Sequence, residues 1–492
     1  MLASIHTESH LFSVVAAPVP SNSSDEWLEP QLPLVCVQGI GFVGAAMAIA
    51  VASARNAKGR AAFNVIAVDL DSPAGRERAA ALASGTLGFK NSDKKLEQAH
   101  KTALATGNMR TSVDPAVYEQ AAVVIVNVNL DVDFSTTPPT SNLTSLKRAI
   151  TTLADFVPVG ALVIVETTVP PGTCDRVIAP IFVDRLAKRG LPPSAVLLAH
   201  SYERVMPGTA YLDSIINFWR VYSGHNEAAA VACEKFLQQI IDTKRFPLTR
   251  VATTTASEMG KVMENSYRAT TIAFVEEWSR LAERVGVDLF PVIDAIRVRP
   301  THNNFRQPGF GVGGYCLTKD PLFGGIAARD LLDQPDLKFP MSELAVAINQ
   351  HMPLESLRLV RESLDGSIKG KKILLLGISY RSDVGDTRHA PAEVFVRQAL
   401  TEGASVQPYD PLLVRWEEFK QDLPTKLPAA ADFDAVVFTS GHEEFIDLDL
   451  ATWLGAARPL LIDGNRVFSS HQLSEIKRLR LPFRSIGRGT QP

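Results

Sequence analysis

Cys316 follows the densest glycine cluster in the chain and precedes two charged residues, Lys319 and Asp320. Four of the six positions from 309 to 314 are glycine: Gly309, Gly311, Gly313 and Gly314. Glycine weakens regular elements, so this run predicts a backbone that wraps closely around a ligand. If a helix begins at the cysteine, its N-terminus and the lysine would both favour the thiolate. A lone cysteine is otherwise often a small buried hydrophobe, but this setting favours a nucleophile.

A second group of polar residues lies earlier in the chain. Lys261, Asn265 and Arg268 are separated by four and three positions, which places them on one face of a helix. The lysine and asparagine side chains could donate hydrogen bonds to a developing oxyanion. A solvated polar stripe would give the same spacing, but the apolar residues around 269–275 indicate a helix that neighbours bury.

A glycine turn, Gly39-x-Gly41-x-x-Gly44, joins an apolar run to an alanine-rich segment, and Asp69 ends the next apolar run. Such a turn lets a pyrophosphate approach the backbone at a helix N-terminus. An acid after the second strand binds the ribose hydroxyls and repels a 2′-phosphate, so the pattern predicts NAD rather than NADP. Asp71 is the alternative ribose ligand, and a nucleotide-free structural turn is the alternative to a cofactor site.

Two regions alternate strand-like and helix-like segments. The predicted strands are 34–38, 65–68, 123–128 and 162–165 in the first region, and 373–376, 406–409, 435–439 and 460–463 in the second. Between them, residues 256–285 read as one long helix. We therefore predict an α/β fold with two Rossmann-like, doubly wound parallel sheets joined by a long central helix in a helical middle domain.

The composition excludes several classes of protein. The chain has 492 residues, a formal net charge of -3 and 21% charged residues, which predicts two or three domains and no nucleic-acid or membrane surface. The four cysteines are far apart in sequence, so neither a disulfide framework nor a metal site is expected. The first twenty residues contain no lysine or arginine, which argues against a signal peptide. These features favour a cytoplasmic protein.

With these residues assembled, the chain resembles the UDP-glucose/GDP-mannose dehydrogenase family of nucleotide-sugar 6-dehydrogenases from about residue 33 to the C-terminus. Besides the glycine turn, the motifs that agree in order and spacing are Glu166-Thr-Thr-Val-Pro170, Glu203-Arg-Val-Met-Pro-Gly208, Lys261-x-x-x-Asn265, Gly311-x-Gly-Gly-x-Cys316, Lys319-Asp320 and Tyr380-Arg-Ser-Asp-x-x-Asp-Thr-Arg388. One motif alone would be weak evidence, but the series is specific.

The polar, proline-ended stretch 21–30 predicts a loose extension over 1–32. The resemblance implies an NAD domain over 33–225, a central helical dimerisation domain over 226–350 and a UDP-sugar domain over 351–492. It implies a homodimer or a higher homo-oligomer. The residues that it assigns to NAD are Gly39, Ile40, Gly41, Phe42, Val43, Gly44, Asp69, Val128, Asn129, Thr168, Lys319 and Arg388. Those that it assigns to the UDP-sugar are Arg204, Arg268, Asn304, Phe305, Gly313, Tyr380, Arg381 and Arg466.

The resemblance also implies a reaction in which a UDP-sugar alcohol becomes a uronic acid for polysaccharide synthesis, at the expense of two NAD. Cys316 would carry a thiohemiacetal and then a thioester. Lys261 and Asn265 would stabilise the oxygen charge, and Asp320 or Glu203 would handle the proton of the hydrolytic water.

The motifs favour more than one sugar. The stretches 203–208 and 304–309 resemble the branch that oxidises UDP-N-acetylglucosamine or UDP-N-acetylmannosamine, whereas Lys319 resembles the UDP-glucose branch. Leu87-Gly-Phe-Lys90 replaces a Tyr-Glu-Pro-Gly stretch that UDP-glucose enzymes usually carry. We therefore favour an N-acetylhexosamine, with UDP-glucose as the alternative. A catalytically dead relative would not need Cys316 and its partners, and a two-electron alcohol dehydrogenase would need no cysteine.

Overall fold

The computed structural model describes residues 27, 29–87, 93–206 and 208–489. Its larger sheet contains eight strands: β1 (Leu34–Gln38), β2 (Asn64–Val68), β3 (Met109–Ser112), β4 (Ala121–Val126), β5 (Leu162–Val165), β6 (Leu197–His200), β7 (Val221–Gly224) and β8 (Thr249–Arg250). Their spatial order is β8-β7-β6-β5-β4-β1-β2-β3. Pairing is parallel except between β6 and β7. The order reverses between β1 and β4, which is where doubly wound sheets bind ligands.

Helices cover both faces of this sheet, because its strands are buried on both sides and need apolar cover. They are α1 (Phe42–Ser53), α2 (Pro73–Ala83), α3 (Lys94–Ala105), α4 (Thr144–Phe156), α5 (Ala179–Lys188), α6 (Asp213–Ile216) and α7 (Glu227–Leu237). Two apolar cores result, one on each side of the sheet. A short antiparallel ribbon joins Val132–Asp133 to Thr140–Ser141.

Four helices form the middle of the chain: α8 (Thr254–Val285), α9 (Leu289–Arg297), α10 (Phe323–Asp330) and α11 (Pro340–Ser363). The 32-residue α8 confirms the predicted long helix. Its N-cap Thr253 accepts a hydrogen bond from the Ala256 amide, and Gly286 ends it in the left-handed conformation at φ 75°. Because α8 packs along α11 and also contacts the larger sheet, it carries residues of the middle region to the edge of the N-terminal domain.

The C-terminal sheet has five parallel strands: β9 (Lys372–Leu376), β10 (Ser405–Tyr409), β11 (Ala435–Phe438), β12 (Leu460–Asp463) and β13 (Phe483–Ser485). Their order, β10-β9-β11-β12-β13, is the 2-1-3-4-5 arrangement of a doubly wound sheet. The helices are α12 (Pro391–Thr401), α13 (Glu443–Ile446), α14 (Leu450–Leu454) and α15 (Ser470–Leu479). A small ribbon pairs Arg415–Trp416 with Gln421–Asp422.

The two sheets repeat one local design at their first turns. Gly39 and Gly377 each follow a first strand with φ near +90°. The next residue in each case donates its amide to an aspartate after the second strand, Ile40 to Asp69 at 3.1 Å and Ile378 to Asp410 at 3.0 Å. The two turns therefore share a backbone plan and the residues that carry it, a Gly-Ile pair and an aspartate.

The predicted fold class is confirmed: two parallel doubly wound sheets are joined through a long central helix. The proposed extension 1–32 falls mainly on residues outside the described part, as do positions 88–90 of the stretch that departs from the UDP-glucose pattern. In the part of the chain that the structure describes, no helix combines the length and apolarity that crossing a bilayer requires.

Candidate active site

The glycine turn between β1 and α1 has the geometry of a phosphate-binding turn. Gly39 adopts φ +96°, and an added Cβ there would collide with the Asn127 carbonyl oxygen. A Cβ on Gly44 would strike the Gly39 carbonyl, whereas one on Gly41 would meet nothing within 4 Å. The first and third glycines are thus required for packing, and the second leaves its backbone open for a pyrophosphate at the start of α1. These features fit NAD.

Asp69 closes this site at the end of β2. Its carboxylate accepts hydrogen bonds from the backbone amides of Ile40 at 3.1 Å and Leu70 at 2.7 Å. Arg78 from α2 adds two further bonds, Nε to Oδ2 at 2.8 Å and Nη2 to Oδ1 at 2.9 Å. Asp71, the alternative ribose ligand, is an exposed partner of Arg76 instead. The position of Asp69 beside the glycine turn favours it for the ribose role.

The residues assigned to the nicotinamide side follow neighbouring strands. Val128 and Asn129 come after β4, and Thr168 comes shortly after β5. The Thr167 hydroxyl donates to the Val128 carbonyl at 2.9 Å, which ties the two loops together. Since β4 and β5 are parallel, these residues meet at the carboxyl edge of the sheet.

The cysteine segment runs between the N-terminal and C-terminal domains. Added Cβ atoms on Gly313 and Gly314 would lie 2.6 and 2.8 Å from Tyr380 atoms. Gly314 also has φ +80°, which side chains rarely adopt. On the other side, the Tyr315 hydroxyl donates a short hydrogen bond to Asp131, beyond β4. The glycines therefore serve close packing against the C-terminal domain, and Cys316 lies where the domains meet.

Two lysine–carboxylate pairs flank Cys316. Lys261 Nζ donates to the Glu203 carbonyl at 2.7 Å and lies 3.7 Å from its carboxylate. Lys319 Nζ donates to Asp320 Oδ1 at 2.7 Å. All four of these residues are buried, and the charges of all four act on the thiol. The site can therefore offer both positive charge and a proton acceptor to a group bound at the sulfur.

Asn265 completes this arrangement from α8, one turn after Lys261. Its Nδ2 donates to Asp320 Oδ2 at 2.8 Å, so both carboxylate oxygens of Asp320 are held. An amide carries two N–H donors, which leaves the second available to an oxyanion. Lys261 and Asn265 thus share one buried face of α8, as their spacing predicts. Arg268, one turn further on, is exposed, and its positive charge faces Arg306.

Cys316 does not begin a helix in the structure. Residues 316–319 form a turn, with the Cys316 carbonyl accepting from Asp320 N at 2.9 Å, and α10 begins only at Phe323. The side chain is open to solvent on one side, but surrounding protein removes water from the thiol. This desolvation, with the Asp320 charge, raises the pKa of Cys316 to about 11, although Lys261 opposes the rise. The raised pKa favours the protonated thiol over the thiolate.

Lys261 keeps its charge in this setting. Burial lowers the pKa of the ammonium, but the charges of the Glu203 and Asp320 carboxylates outweigh burial and raise its pKa above the ordinary value. A charged lysine beside a protonated thiol is suited to stabilise negative charge that appears only during a reaction.

Arg388 reaches from the C-terminal domain to the glycine turn. Its guanidinium lies 4.4 Å from the centroid of the Phe42 ring and 5.9 Å from that of Tyr315. Asp386 holds it through Nε at 3.0 Å and Nη2 at 2.8 Å. The predicted position of Arg388 across the interdomain cleft agrees with this geometry. Tyr380 and Arg381 precede it in the same segment, and Arg381 is exposed.

Other residues assigned to the sugar lie at the edges of the middle region. Arg204 Nε bonds Glu264 at 3.0 Å. Asn304 Nδ2 is 3.5 Å from the Tyr267 hydroxyl, and the Phe305 ring stands edge-on to Phe274. These last two side chains meet the exposed face of α8. Arg466 bonds Gln307 at 3.3 Å and lies over Phe290, so it bridges the C-terminal domain to the middle helices.

Several contacts within the site were not predicted from the sequence. Tyr315 and Phe323 form aromatic walls around Lys319, with ring centroids 4.6 and 4.7 Å from its Nζ. Glu166 and Arg220 form a fully buried ion pair at 2.5 Å next to the nicotinamide loops. The position of Tyr315 beside the cysteine was a usable signal, but the pairing of distant charges such as Glu166 and Arg220 was not.

The chain matches three models of one family. Residues 33–241 match the UDP-glucose/GDP-mannose dehydrogenase family NAD binding domain, 255–351 its central domain and 374–470 its UDP binding domain.

Two archaeal relatives extend this match. UDP-N-acetyl-D-mannosamine dehydrogenase of Methanocaldococcus jannaschii is 29% identical and aligns over 84% of this chain and 87% of its own. The protein of the same name from Pyrococcus horikoshii is 29% identical over 92% and 99%. A solved structure of UDP-D-ManNAc dehydrogenase from Pyrococcus horikoshii superposes with a TM-score of 0.77 at 27% identity, covering 93% of this chain and 99% of that one. The chain therefore belongs to the UDP-glucose/GDP-mannose dehydrogenase family and is an NAD-dependent UDP-sugar oxidoreductase.

Proposed function

We propose that this enzyme oxidises the C6 hydroxymethyl group of a UDP-N-acetylhexosamine, UDP-N-acetylmannosamine or UDP-N-acetylglucosamine, to a carboxylate. The observation that carries the proposal is the position of Cys316 between two lysine–carboxylate pairs at the domain junction. Oxidation of an alcohol to an aldehyde needs no thiol. Oxidation beyond the aldehyde becomes easier when a thiol adds to the carbonyl carbon and later leaves it.

The reaction balances as two hydride transfers and one hydrolysis. NAD, when bound, accepts the hydride in each of the two oxidations. The first removes a hydride from C6 and a proton from its hydroxyl, giving an aldehyde. The Cys316 sulfur then bonds to the aldehyde carbon, and the thiohemiacetal loses the second hydride and its hydroxyl proton to become a thioester. Water attacks that carbon, the C–S bond breaks, and the carboxylate and thiol are released.

The polar and charged residues around Cys316 have different roles in these steps. Lys261 is a buried ammonium, and Asn265 has a free amide hydrogen, so both can stabilise the alkoxide that forms when sulfur adds. Because the thiol is protonated at rest, its proton must move as the C–S bond forms. Asp320 and Glu203 are the carboxylates whose charges act on the sulfur, and either can take that proton and later one from water.

The aspartate and glycines of the first sheet support NAD as the cofactor, with Thr168 and Val128–Asn129 on its nicotinamide side and Lys319 as a further cofactor-binding residue. In the structure, Lys319 pairs with Asp320, so its contact with NAD stays a prediction. We place the enzyme in the cytoplasm, because its four cysteines are free thiols and an active thiol needs a reducing compartment.

The choice of sugar rests on the motifs at 203–208 and 304–309 and on the two archaeal relatives, which are named for UDP-N-acetyl-D-mannosamine. UDP-glucose is the second candidate, favoured by Lys319. A panel of UDP-N-acetylmannosamine, UDP-N-acetylglucosamine, UDP-glucose and UDP-galactose, each with NAD, tests the choice through reduced-cofactor absorbance. The highest kcat/KM should belong to an N-acetyl sugar, with two reduced cofactors per sugar. A highest value for UDP-glucose would overturn this choice.

We also propose that two copies of the chain associate through α8. Along its outer face, large apolar side chains recur at spacings of three, four or seven residues: Met259, Met263, Tyr267, Phe274, Trp278, Leu281 and Val285. Phe274 is 48% exposed and Trp278 51%. Phe274 and Trp278 line an apolar groove together with α9 and Phe305. Such a stripe on a long helix is self-complementary about a twofold axis, which favours a second copy as the partner.

Light scattering after size exclusion tests this association. The unaltered chain should elute as a dimer or a multiple of it, and Trp278→Glu should shift it towards the monomer. Val414→Glu changes an exposed apolar residue on the C-terminal domain and should leave the mass unchanged. A monomeric unaltered chain would contradict the proposal.

A further inference from the structure

Residues 380–389, which lie between β9 and α12, contact several parts of the active site, and we call them the arginine loop. Tyr380 packs on the glycines before the reactive cysteine, so closely that a Cβ added to Gly313 would lie 2.6 Å from the Tyr380 Cβ. Arg388 reaches the glycine turn of the NAD domain, and Arg381 is exposed between them. A shift of the arginine loop would therefore move three side chains of the site at once.

The arginine loop contains a backbone conformation that its neighbours must hold in place. Asp383 has φ 57°, in the left-handed region that residues with a side chain seldom adopt. Such a conformation persists only where surrounding contacts fix it. The amide of Tyr380 donates to the Asp386 carbonyl at 3.0 Å and closes the loop, but this bond does not hold Asp383 itself. The contacts that do so come from another segment.

His442 supplies the first of these contacts. It follows β11 at the start of α13 and is 1% exposed. Its Nδ1 accepts a hydrogen bond from the Asp383 amide at 3.1 Å. The amide of Glu443 donates in return to Asp383 Oδ1 at 3.3 Å. The backbone and the side chain of Asp383 are thus both held by the two residues where α13 begins.

Asp410 fixes the orientation of the His442 ring. Because the Asp383 amide is a donor, Nδ1 must be unprotonated, and the ring proton lies on Nε2. Nε2 is 3.3 Å from Asp410 Oδ2, and both side chains are buried. The same oxygen accepts the amides of Ile378 and Ser379 at 3.0 and 2.9 Å. Since β10, β9 and β11 are neighbouring parallel strands, their carboxyl ends bring these segments together.

We propose that His442 is a positioning residue for ligand binding: through the Asp383 amide it holds the arginine loop in the conformation that presents Arg381 to the UDP-sugar and Arg388 to NAD. His442 acts through the loop, since its ring is buried and both ring nitrogens face protein atoms. Ligands bind the molecules whose loop has this conformation, so the apparent Kd rises as that fraction falls. This inference rests on the ligand-binding roles proposed for the two arginines.

Two substitutions of His442 separate the hydrogen bond from the bulk of the ring. The amide oxygen of His442→Asn can occupy the place of Nδ1, whereas the amide of His442→Gln extends towards the place of Nε2. Calorimetry with UDP and with NAD gives a Kd for each variant. His442→Gln should raise the Kd for UDP about tenfold, as expected if about a tenth of the molecules keep the loop in place. His442→Asn should stay within about twofold.

The same measurements include NAD and a control variant. In His442→Gln the Kd for NAD should rise about threefold, less than that for UDP, because the glycine turn still binds the cofactor. His100→Asn is the matched control: His100 is also 1% exposed, and it bonds the Leu82 carbonyl in the NAD domain. This control should lower the melting temperature, as any change of a buried histidine does, without changing the Kd for UDP.

The other partner of the hydrogen bond gives a test that does not depend on a core variant folding, because Asp383 is exposed. Glycine adopts positive φ freely and keeps the amide, whereas valine, branched at Cβ, strongly disfavours this conformation. Asp383→Val should therefore raise the Kd for UDP about tenfold, and Asp383→Gly should raise it by less than about threefold.

Equal Kd values for UDP in His442→Asn and His442→Gln would overturn the proposal, and so would equal values in Asp383→Val and Asp383→Gly. A Kd for UDP that rises as much in His100→Asn as in His442→Gln would reduce the effect to a general loss of stability and overturn it too. The proposed choice of sugar is tested separately by the panel of UDP-sugars, because UDP binding requires no particular sugar.

Discussion

Asn265 Nδ2 donates a 2.8 Å hydrogen bond to Asp320 Oδ2, which joins the long helix α8 to the segment that follows the reactive cysteine. Both side chains are buried, and Lys319 holds the other oxygen of the same carboxylate. The helix therefore positions the proton acceptor as well as the oxyanion donors. Loss of the hydrogen bond between Asn265 and Asp320 should therefore impair both proton transfer and stabilisation of the oxyanion.

Asn265→Ala tests this coupling. The variant removes an oxyanion donor and frees one oxygen of Asp320, so kcat should fall by about 100-fold to 1,000-fold, while the KM for the sugar changes by less than about threefold. Steady-state formation of reduced cofactor measures both constants. Asn265→Gln, which keeps the amide on a longer chain, should recover part of kcat. A kcat within twofold of the unaltered enzyme would show that the amide is only structural.

The acidity of Cys316 should respond in opposite directions to its two neighbouring charges. Its pKa is raised to about 11 by desolvation and by Asp320, while Lys261 opposes the rise. Lys261→Met should therefore raise the thiol pKa further, and Asp320→Asn should lower it. The pH dependence of alkylation at the Cys316 peptide, followed by mass spectrometry, gives each value. Shifts in the same direction for both variants would contradict this electrostatic account.

Arg388 and Arg381 should affect different ligands. Arg388 lies 4.4 Å from the Phe42 ring in the glycine turn, so Arg388→Ala should raise the Kd for NAD about tenfold. Arg381 belongs to the C-terminal domain and is exposed, so Arg381→Ala should weaken the UDP-sugar instead. Calorimetry with each ligand separates the effects. If Arg388→Ala leaves NAD binding unchanged, the arginine does not reach the cofactor.

Stability should depend on pH through Glu276, which is buried between α8 and α11. Burial raises the pKa of Glu276 to about 8, with Arg280 opposing the rise and Glu283 and Glu355 adding to it. The folded chain thus keeps a proton that the unfolded chain loses near pH 4.5. The resulting stabilisation is complete below that pH and disappears as the pH rises through about 8.

Glu276→Gln removes this titration. Its free energy of unfolding should match that of the unaltered enzyme near pH 5 and exceed it by about 2 to 4 kcal/mol near pH 9, as measured by urea denaturation. Glu119→Gln, at an exposed carboxylate, serves as the control. If the free energies of unfolding of Glu276→Gln and the unaltered enzyme differ by the same amount at every pH from 5 to 9, Glu276 is ionised over that whole range.

Much of the fold followed from local patterns. Apolar runs and glycine turns predicted the principal strands, and helical periodicity predicted α8, because these signals depend on neighbouring residues. The order of the C-terminal strands and the antiparallel step between β6 and β7 depend on how distant segments pair. No local pattern encodes that pairing.

The features of the site are likewise of two kinds, those that local spacing predicts and those that depend on tertiary packing. Cys316, Lys261 and Asn265 were recognisable from their spacing, and the helix spacing placed two of them on one buried face. The thiolate-favouring effect of a helix N-terminus depended on a helix that begins at Cys316, and the structure has a turn there before α10. The hold of Arg78 on Asp69 was not foreseen, since it depends on the close packing of α2 against Leu70.

The most direct test of the central claim is the reaction of Cys316→Ser with NAD and the preferred UDP-N-acetylhexosamine. Serine keeps the shape of the side chain but is a poorer nucleophile and a poorer leaving group, so steady formation of reduced cofactor should fall by at least about 1,000-fold. Calorimetry should show NAD and UDP-sugar binding within about threefold of the unaltered enzyme. During turnover, the unaltered enzyme should carry a covalent sugar mass on the Cys316 peptide. Near-normal turnover by Cys316→Ser, with two reduced cofactors per sugar, would contradict the covalent mechanism.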